Sequence, residues 1–250
     1  MAIFCLDLGN THVHWGLVDG RQVHAQGELV TAVLSTEAIR SLLAAHRPTG
    51  LALASVVPAA TASLEPVLLG SALPFHHLRH DTVRGLGFDY PRPAEVGQDR
   101  LADCIGAQLV TGAPAVIVGM GTATTVDILT QKGYAGGIIA PGLGVMTRYL
   151  HERTALLPLL DPADLLGGPA IGKSTVDAMR AGCALGFAGM IGALLDAVIL
   201  EMTKAEAPEP AVLVTGGASV YLPASWRHRV RHEPNLTLLG LAESYRRTHP

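Results

Sequence analysis

With 250 residues, 49% of them apolar, the chain can bury the core of one large domain or two small ones. A formal net charge of −3 gives no concentrated basic face, which argues against a nucleic-acid partner and for a small molecule. Three cysteines, Cys5, Cys104 and Cys183, lack C-x-x-C spacing and imply no disulfide framework, so reduced thiols in the cytoplasm are expected.

The start, "MAIFCLDLGN", has no basic leader region, and Asp7 breaks its apolar run, so it reads as a first strand and not as a signal peptide. "HVHWGLV" and "RQVHAQGEL" follow across the turn signals Gly9-Asn10 and Asp19-Gly20, which predicts three successive antiparallel strands. "STEAIRSLLAAH" predicts a helix capped by Ser35 or Thr36, "GLALASVV" a buried strand, "AATASLEPVLL" a short helix and "PFHHLR" a strand. The pattern is α/β. Near residue 113, "APAVIVGMGTATTVDILTQKG" repeats the strand, glycine turn and strand, aligning Leu6–Thr11 with Val118–Ala123 as a weak internal repeat. "AVLVTGGAS" is a third strand ending in a glycine turn, with "NLTLLG" expected as a last strand before a terminal helix.

"AGCALGFAGMIGALL", residues 181–195, is apolar throughout but shorter than the ~20 residues of a membrane span, so a buried helix and no membrane association are expected. Its Gly182, Gly186, Gly189 and Ala193 share one face, suited to close contact with a second subunit or with the molecule's own core.

"GGPAIGKST" satisfies the G-x-x-x-x-G-K-[ST] pattern of a phosphate-binding P-loop. A working P-loop needs a buried strand before it, and the preceding "LLPLLDPADLL" carries Pro158 and Pro162. Pro169 also removes an N–H from the would-be cradle, so "KST" is expected to cap and begin a helix. Asp7 is a better phosphate-site residue. It ends a buried strand and is followed by Gly9, Asn10 and Thr11, a turn whose N–H groups can face phosphates while the carboxylate holds Mg²⁺ through water; an Asx-turn is the plain structural alternative. Asp99 stands where a helix through "RLADCIGAQLV" begins, placed either to cap it or to accept the proton of an attacking hydroxyl, with Arg100 beside it to fix an anionic substrate. His12 and His14 share a strand face and His76, His77 and His80 cluster, but they lack the cysteine or carboxylate pattern of a zinc site.

Taken in order, Asp7-Leu8-Gly9-Asn10-Thr11, Tyr90-Pro91, Gly97-Gln98-Asp99-Arg100, Gly121-Thr122-Ala123-Thr124, Gly136 to Gly142, Ile171 to Thr175 and Thr215-Gly216-Gly217 resemble a type III pantothenate kinase over nearly the whole chain. The resemblance implies two tandem actin-like (ribonuclease H-like) α/β domains, here 1–112 and 113–250, with ATP in a central cleft, a homodimer, and the first step of coenzyme A synthesis. It implies ATP contacts from Asp7, Leu8, Gly9, Asn10, Thr11, His12, Val13 and His14, from Thr122, and near adenosine from Thr215, Gly216 and Gly217. It implies pantothenate contacts from Tyr90, Gly97, Gln98, Asp99, Arg100 and Thr175, with Asp99 the catalytic proton acceptor.

Two positions depart from the pattern. Where the family motif carries an aspartate that binds an activating monovalent cation, K⁺ or NH₄⁺, this chain has Gly119. A cation there would need backbone carbonyls, water or a different residue such as Asp127, whose plain reading is a solvent-facing strand position. Gln98 replaces the family's common alanine, with slight consequence expected. Two alternatives stay open on the sequence: a catalytically idle nucleotide-binding relative acting as a regulator, which Gly119 would favour, and a kinase for another small hydroxyl substrate on the same fold.

Overall fold

The computed structural model describes residues 1–204, 208–222 and 228–249. The chain divides into two compact units: Met1–Ala113 with Leu129–Gly136 and Asn235–Pro250, and Pro114–Ile128 with Gly137–Pro234. The terminal helix and the tip of one hairpin thus belong to the first unit, although the sequence reading counted them in the second half.

The first unit is built on a five-stranded sheet of β1 (Ala2–Leu8), β2 (His12–Asp19), β3 (Gln22–Val30), β4 (Gly50–Ser55) and β5 (Phe75–His77), in the order β3-β2-β1-β4-β5. The first three strands pair antiparallel, and β4 and β5 add parallel to β1 on its other side. Period-two alternation in β1 sends Phe4, Leu6 and Leu8 to one face, where they pack with Ile39 of α1 (Thr36–His46) and Leu64 and Leu68 of α2 (Pro58–Leu69). Helix α1 is capped by Ser35, whose side chain accepts from the Ala38 N–H at 3.2 Å.

The opposite face is covered by α3 (Gln98–Val110) and α6 (Leu236–Thr248). Two glycines of the sheet admit α6: a Cβ on Gly16 would lie 2.8 Å from Leu238, and one on Gly50 would lie 2.3 Å from the Tyr245 hydroxyl. "NLTLLG" is therefore the first turns of a helix and not a strand. Its leucines recur at 236, 238, 239 and 241, all buried, a spacing for a helix enclosed by neighbours, and none of them is β-branched.

The second unit repeats the plan with β6 (Ala115–Met120), β7 (Ala123–Thr130), β8 (Gly133–Pro141), β9 (Ala211–Thr215) and β10 (Arg231–His232), in the order β10-β9-β6-β7-β8. In both sheets the first strand is central, its two successors lie on one side, and two later strands lie parallel on the other. The weak repeat in the sequence is a repeat of topology. Strand β8 and α4 (Leu143–Glu152) were not anticipated.

The unit's core gathers Val116, Val118 and Met120 of β6 around Phe187, Ile191 and Leu195 of α5 (Thr175–Lys204). By length and composition α5 could cross a membrane, yet its buried side chains belong to this core. The expectation of a wholly buried helix fails on its other side. Gly182, Gly186, Gly189 and Ala193 are exposed, and a Cβ at any of the three glycines would meet nothing within 4 Å. Packing of that stripe against the unit's own core is thereby overturned.

Helices α3 and α6 approach so closely that a Cβ on Gly240 would sit 1.8 Å from the Ala102 carbonyl oxygen. A backbone atom cannot swing aside as a side chain can. Gly240→Ala should destabilise the protein by about 1–3 kcal/mol, read as a lowered midpoint in thermal or urea unfolding.

Candidate active site

Asp7 lies one residue before the end of β1, on the sheet face covered by α3 and α6. Its Oδ1 is shielded from solvent and has no hydrogen-bond partner. Burial first, and then the Asp99 charge, push its carboxyl up to about 7. A lone buried oxygen of this kind fits a hydrated divalent cation, which would supply the missing partner. The turn beyond is held tightly: the Gly9 N–H donates to the His12 carbonyl at 3.0 Å, while Thr31 donates its hydroxyl to the Gly9 carbonyl at 2.8 Å and its N–H to the Thr11 carbonyl at 3.0 Å. Asn10 and Thr11 are left exposed at its tip. Leu8 and Val13 are core residues, so any ligand contact from them is through the backbone. His14 is the cross-strand partner of Asp7, largely exposed, with Nδ1 3.9 Å from Glu28 Oε2; partial desolvation, opposed by the Glu28 charge, holds its imidazole below the usual range.

Asp99 is not the N-cap of α3. That position is Gly97, which makes no side-chain cap, and Asp99 is the second residue of the helix. Its Oδ1 accepts from the Arg100 N–H at 2.9 Å. Burial raises its carboxyl above the ordinary range, opposed by that N–H and the Arg100 charge. Gly97 makes room for it, since a Cβ there would come 2.4 Å from Asp99 Oδ1. The Gln98 side chain turns inward, its Oε1 accepting from the Ser55 N–H at 2.6 Å.

Arg100 and Tyr90 meet on a residue that the motifs did not single out. The Arg100 guanidinium carbon stands 5.6 Å from the ring centre of Tyr134, and the Tyr90 ring meets the same ring edge-on at 5.4 Å. Tyr134, on β8, is 1% exposed, and its carbonyl accepts from the Asp89 N–H at 2.8 Å. The signal for it was weak, because it stands between Gly133 and Gly136 in a segment not read as a strand.

In the second unit three glycine turns converge at the ends of β6, β8 and β9. Thr215 pairs with Gly119 across the parallel ladder, and Gly216, at φ 90°, lies so near β6 that a Cβ would be 2.4 Å from the Met120 carbonyl oxygen. Gly142 donates its N–H to the Thr122 carbonyl at 3.2 Å and likewise has no room for a Cβ. Thr122 and Gly217 are exposed there, while Thr215 is buried. Thr175 is exposed at the first residue of α5. Before it, Ser174 accepts from the Asp177 N–H and donates to the Asp177 carboxylate at 2.7 Å, a helix-start motif preceded by a 3₁₀ turn at Pro162–Leu165 and not by the strand a P-loop needs. Asp127 corrects the sequence reading: it is 0% exposed and engaged within the fold, because β7 is covered at that position on a strand whose neighbours Val126 and Leu129 are also buried. Gly119 offers no side-chain oxygen, so the residues at that place do not fit the monovalent-cation site of the motif.

Two sheets of one topology, each with glycine turns at the ends of its strands, define an α/β protein of actin-like fold. Solved structures agree in fold: a ROK-family glucokinase of Streptomyces griseus in complex with glucose and AMPPNP (TM-score 0.56, 15% identity, covering 97% of this chain and 98% of that one), and a ROK hexokinase of Thermus thermophilus (TM-score 0.55, 14% identity, covering 98% and 99%). The sequence pattern of the type III pantothenate kinase family matches residues 3–197. Proteins named type III pantothenate kinase from Akkermansia muciniphila and Nocardia farcinica are 36% and 31% identical, covering 96% and 98% of this chain and 97% of each relative. The chain belongs to the type III pantothenate kinase family.

Asp7 gives the site a pH signature in the metal-free protein. Its folded-state proton affinity is raised from 3.8 to about 7, so the ionised form penalises the folded state, by an amount that grows as pH rises from about 4 to about 7 and then levels off. Asp7→Asn should remove this fall. Metal-free Asp7→Asn should melt higher than wild type at pH 8, by on the order of 3 °C per kcal/mol relieved, and the two should converge near pH 4; parallel pH profiles of melting temperature would count against the unpartnered carboxylate.

Proposed function

We propose that the chain transfers the γ-phosphoryl group of ATP to the primary hydroxyl of pantothenate, giving 4'-phosphopantothenate, the first step of coenzyme A synthesis. The family match along residues 3–197 carries this reading, and the surroundings of Asp99 give it a chemical basis. A half-buried carboxylate held by the Arg100 N–H is a fixed acceptor for a hydroxyl proton. As the hydroxyl oxygen bonds to phosphorus and the bond to ADP breaks, the proton passes to Asp99. Arg100, steadied on Tyr134, and Tyr90, edge-on to the same ring, are proposed to hold the acceptor with Gly97 and Thr175, and with the backbone alone of Gln98, whose side chain is engaged by Ser55 and His77.

For the nucleotide, the proposed contacts are Asp7 to His14 in the first unit and Thr122 with Thr215 to Gly217 in the second. Asp7 would hold Mg²⁺ through water, and the ion, when bound, neutralises phosphate charge. A monovalent cation finds no carboxylate at Gly119, and no step here depends on one. A cytoplasmic enzyme is the setting that fits ATP and reduced, buried Cys5, Cys104 and Cys183.

The exposed stripe of α5 is proposed to be covered by a second copy of the chain. Gly182, Gly186 and Gly189 leave a surface without side chains, with Leu185 beside them at 59% exposure, and two such stripes related by a two-fold axis are self-complementary. Because nothing lies within 4 Å of a Cβ at Gly186, Gly186→Arg should fold normally. It should sediment as a monomer where wild type sediments as a dimer; a wild-type monomer would remove the proposal.

Asp99→Asn tests the chemistry. ADP release in wild type should require pantothenate, and Asp99→Asn should lower kcat by about a hundredfold or more with a melting temperature no lower than that of wild type. Undiminished turnover in the variant would contradict the role of Asp99.

A further inference from the structure

Gln98, adjacent to Asp99, is half-buried, and its side chain is occupied by internal partners. Its Oε1 lies 2.6 Å from the Ser55 N and 3.0 Å from His77 Nε2. The Ser55 N–H can only donate, so the amide atom that meets it is the oxygen. His77 must then carry its proton on Nε2 to donate to the same oxygen. On the ring's other side, Nδ1 lies 2.9 Å from Glu65 Oε1, a pair that needs a proton between its members. One hydrogen-bonded chain therefore runs from Glu65 on α2, through His77 on β5, to Gln98 at the first residue of α3.

Its far end is the strand end beside the proposed metal ligand. Ser55 pairs with Leu8 across the parallel β1–β4 ladder, and the Val56 N–H donates to the Leu8 carbonyl at 3.0 Å. Ser55 is itself held, its hydroxyl meeting Thr61 at 2.6 Å and the Val57 N–H at 3.1 Å. We infer that Gln98, braced by His77 and Glu65, is a positioning residue that clamps the first turn of α3 to the end of β4 and so fixes Asp99 relative to Asp7. This rests on the proposed phosphoryl transfer to pantothenate. It also revises the expectation that glutamine at 98 is of slight consequence, and it turns Gln98 from a side-chain contact for the acceptor into a support for the base.

The test is steady-state kinetics on the full-length protein. Gln98→Ala and His77→Ala should each lower kcat about tenfold, as small displacements of a catalytic group do, with KM for pantothenate and for ATP held within about twofold of wild type. The double variant should be no slower than the slower single one, because both changes break one chain. In ¹⁵N-edited NMR of wild type, the His77 Nε2 proton should be visible and slow to exchange, and it should vanish in Gln98→Ala. Fully additive kinetic losses, or a raised KM for pantothenate with kcat intact, would overturn the inference. If Gln98→Ala does not fold, Glu65→Ala, at a side chain one-third exposed, reads the same chain: kcat should fall severalfold, and an unchanged kcat would overturn it. If wild type shows no pantothenate-dependent turnover, the proposed function fails, and the NMR signal alone decides the clamp: loss of the Nε2 proton in Gln98→Ala supports it, persistence refutes it.

Discussion

Desolvation of two half-buried carboxylates in one unit, Asp7 at the end of β1 and Asp99 in the first turn of α3, is the constraint on which the rest of the site turns. The Asp99 charge adds to the desolvation that raises the Asp7 carboxyl, and a folded chain tolerates such a pair only with compensation. Asp99 receives it from the backbone, through the Arg100 N–H and its place at a helix start, where N–H dipoles favour negative charge. Asp7 receives none from the protein. The unmatched half of the pair is the half that the proposed hydrated cation would relieve, and that relief would add to its affinity.

The repeated sheet explains why glycines mark the working loops. In each sheet the central strand feeds a turn at its carboxyl end, and the backbone there must pass close to other main chain. Gly216 against Met120 and Gly142 against Gly121 and Thr122 are approaches in which a single methyl group has no room. Gly97 does the same for a side chain, leaving space for Asp99 Oδ1. The motif glycines serve close packing of the main chain.

Much of this was legible in sequence because strong local patterns coincide with elements: the alternation in β1, the Ser35 cap, the glycine turns and the offset repeat. What failed did so for tertiary reasons. "NLTLLG" is an apolar run too short for periodicity to separate helix from strand, and enclosure by β1 and α3 decided it. Asp127 looked solvent-facing because alternation assumes one open face, and β7 is covered at that position. Tyr134 carries no motif at all; only the fold brings it under Arg100 and beside Tyr90. The inward turn of Gln98 depends on His77 and Ser55, residues 21 and 43 positions away.

Helix α3 is held from both ends of the chain's order. Near its start stand β4 and β5, made before it; along its body stands α6, the last helix of the chain, with the Thr237 hydroxyl donating to Asp103 at 2.6 Å and Leu236 set against Gly106. The sheet beneath accepts α6 closely at Gly16 and Gly50. Residues far along the chain thus determine where the helix bearing Asp99 can rest. Without residues 236–248, Ala102, Asp103 and Gly106 of α3 would lose Gly240, Thr237 and Leu236 as neighbours, so the position of Asp99 is a property of the completed first unit and not of its motif.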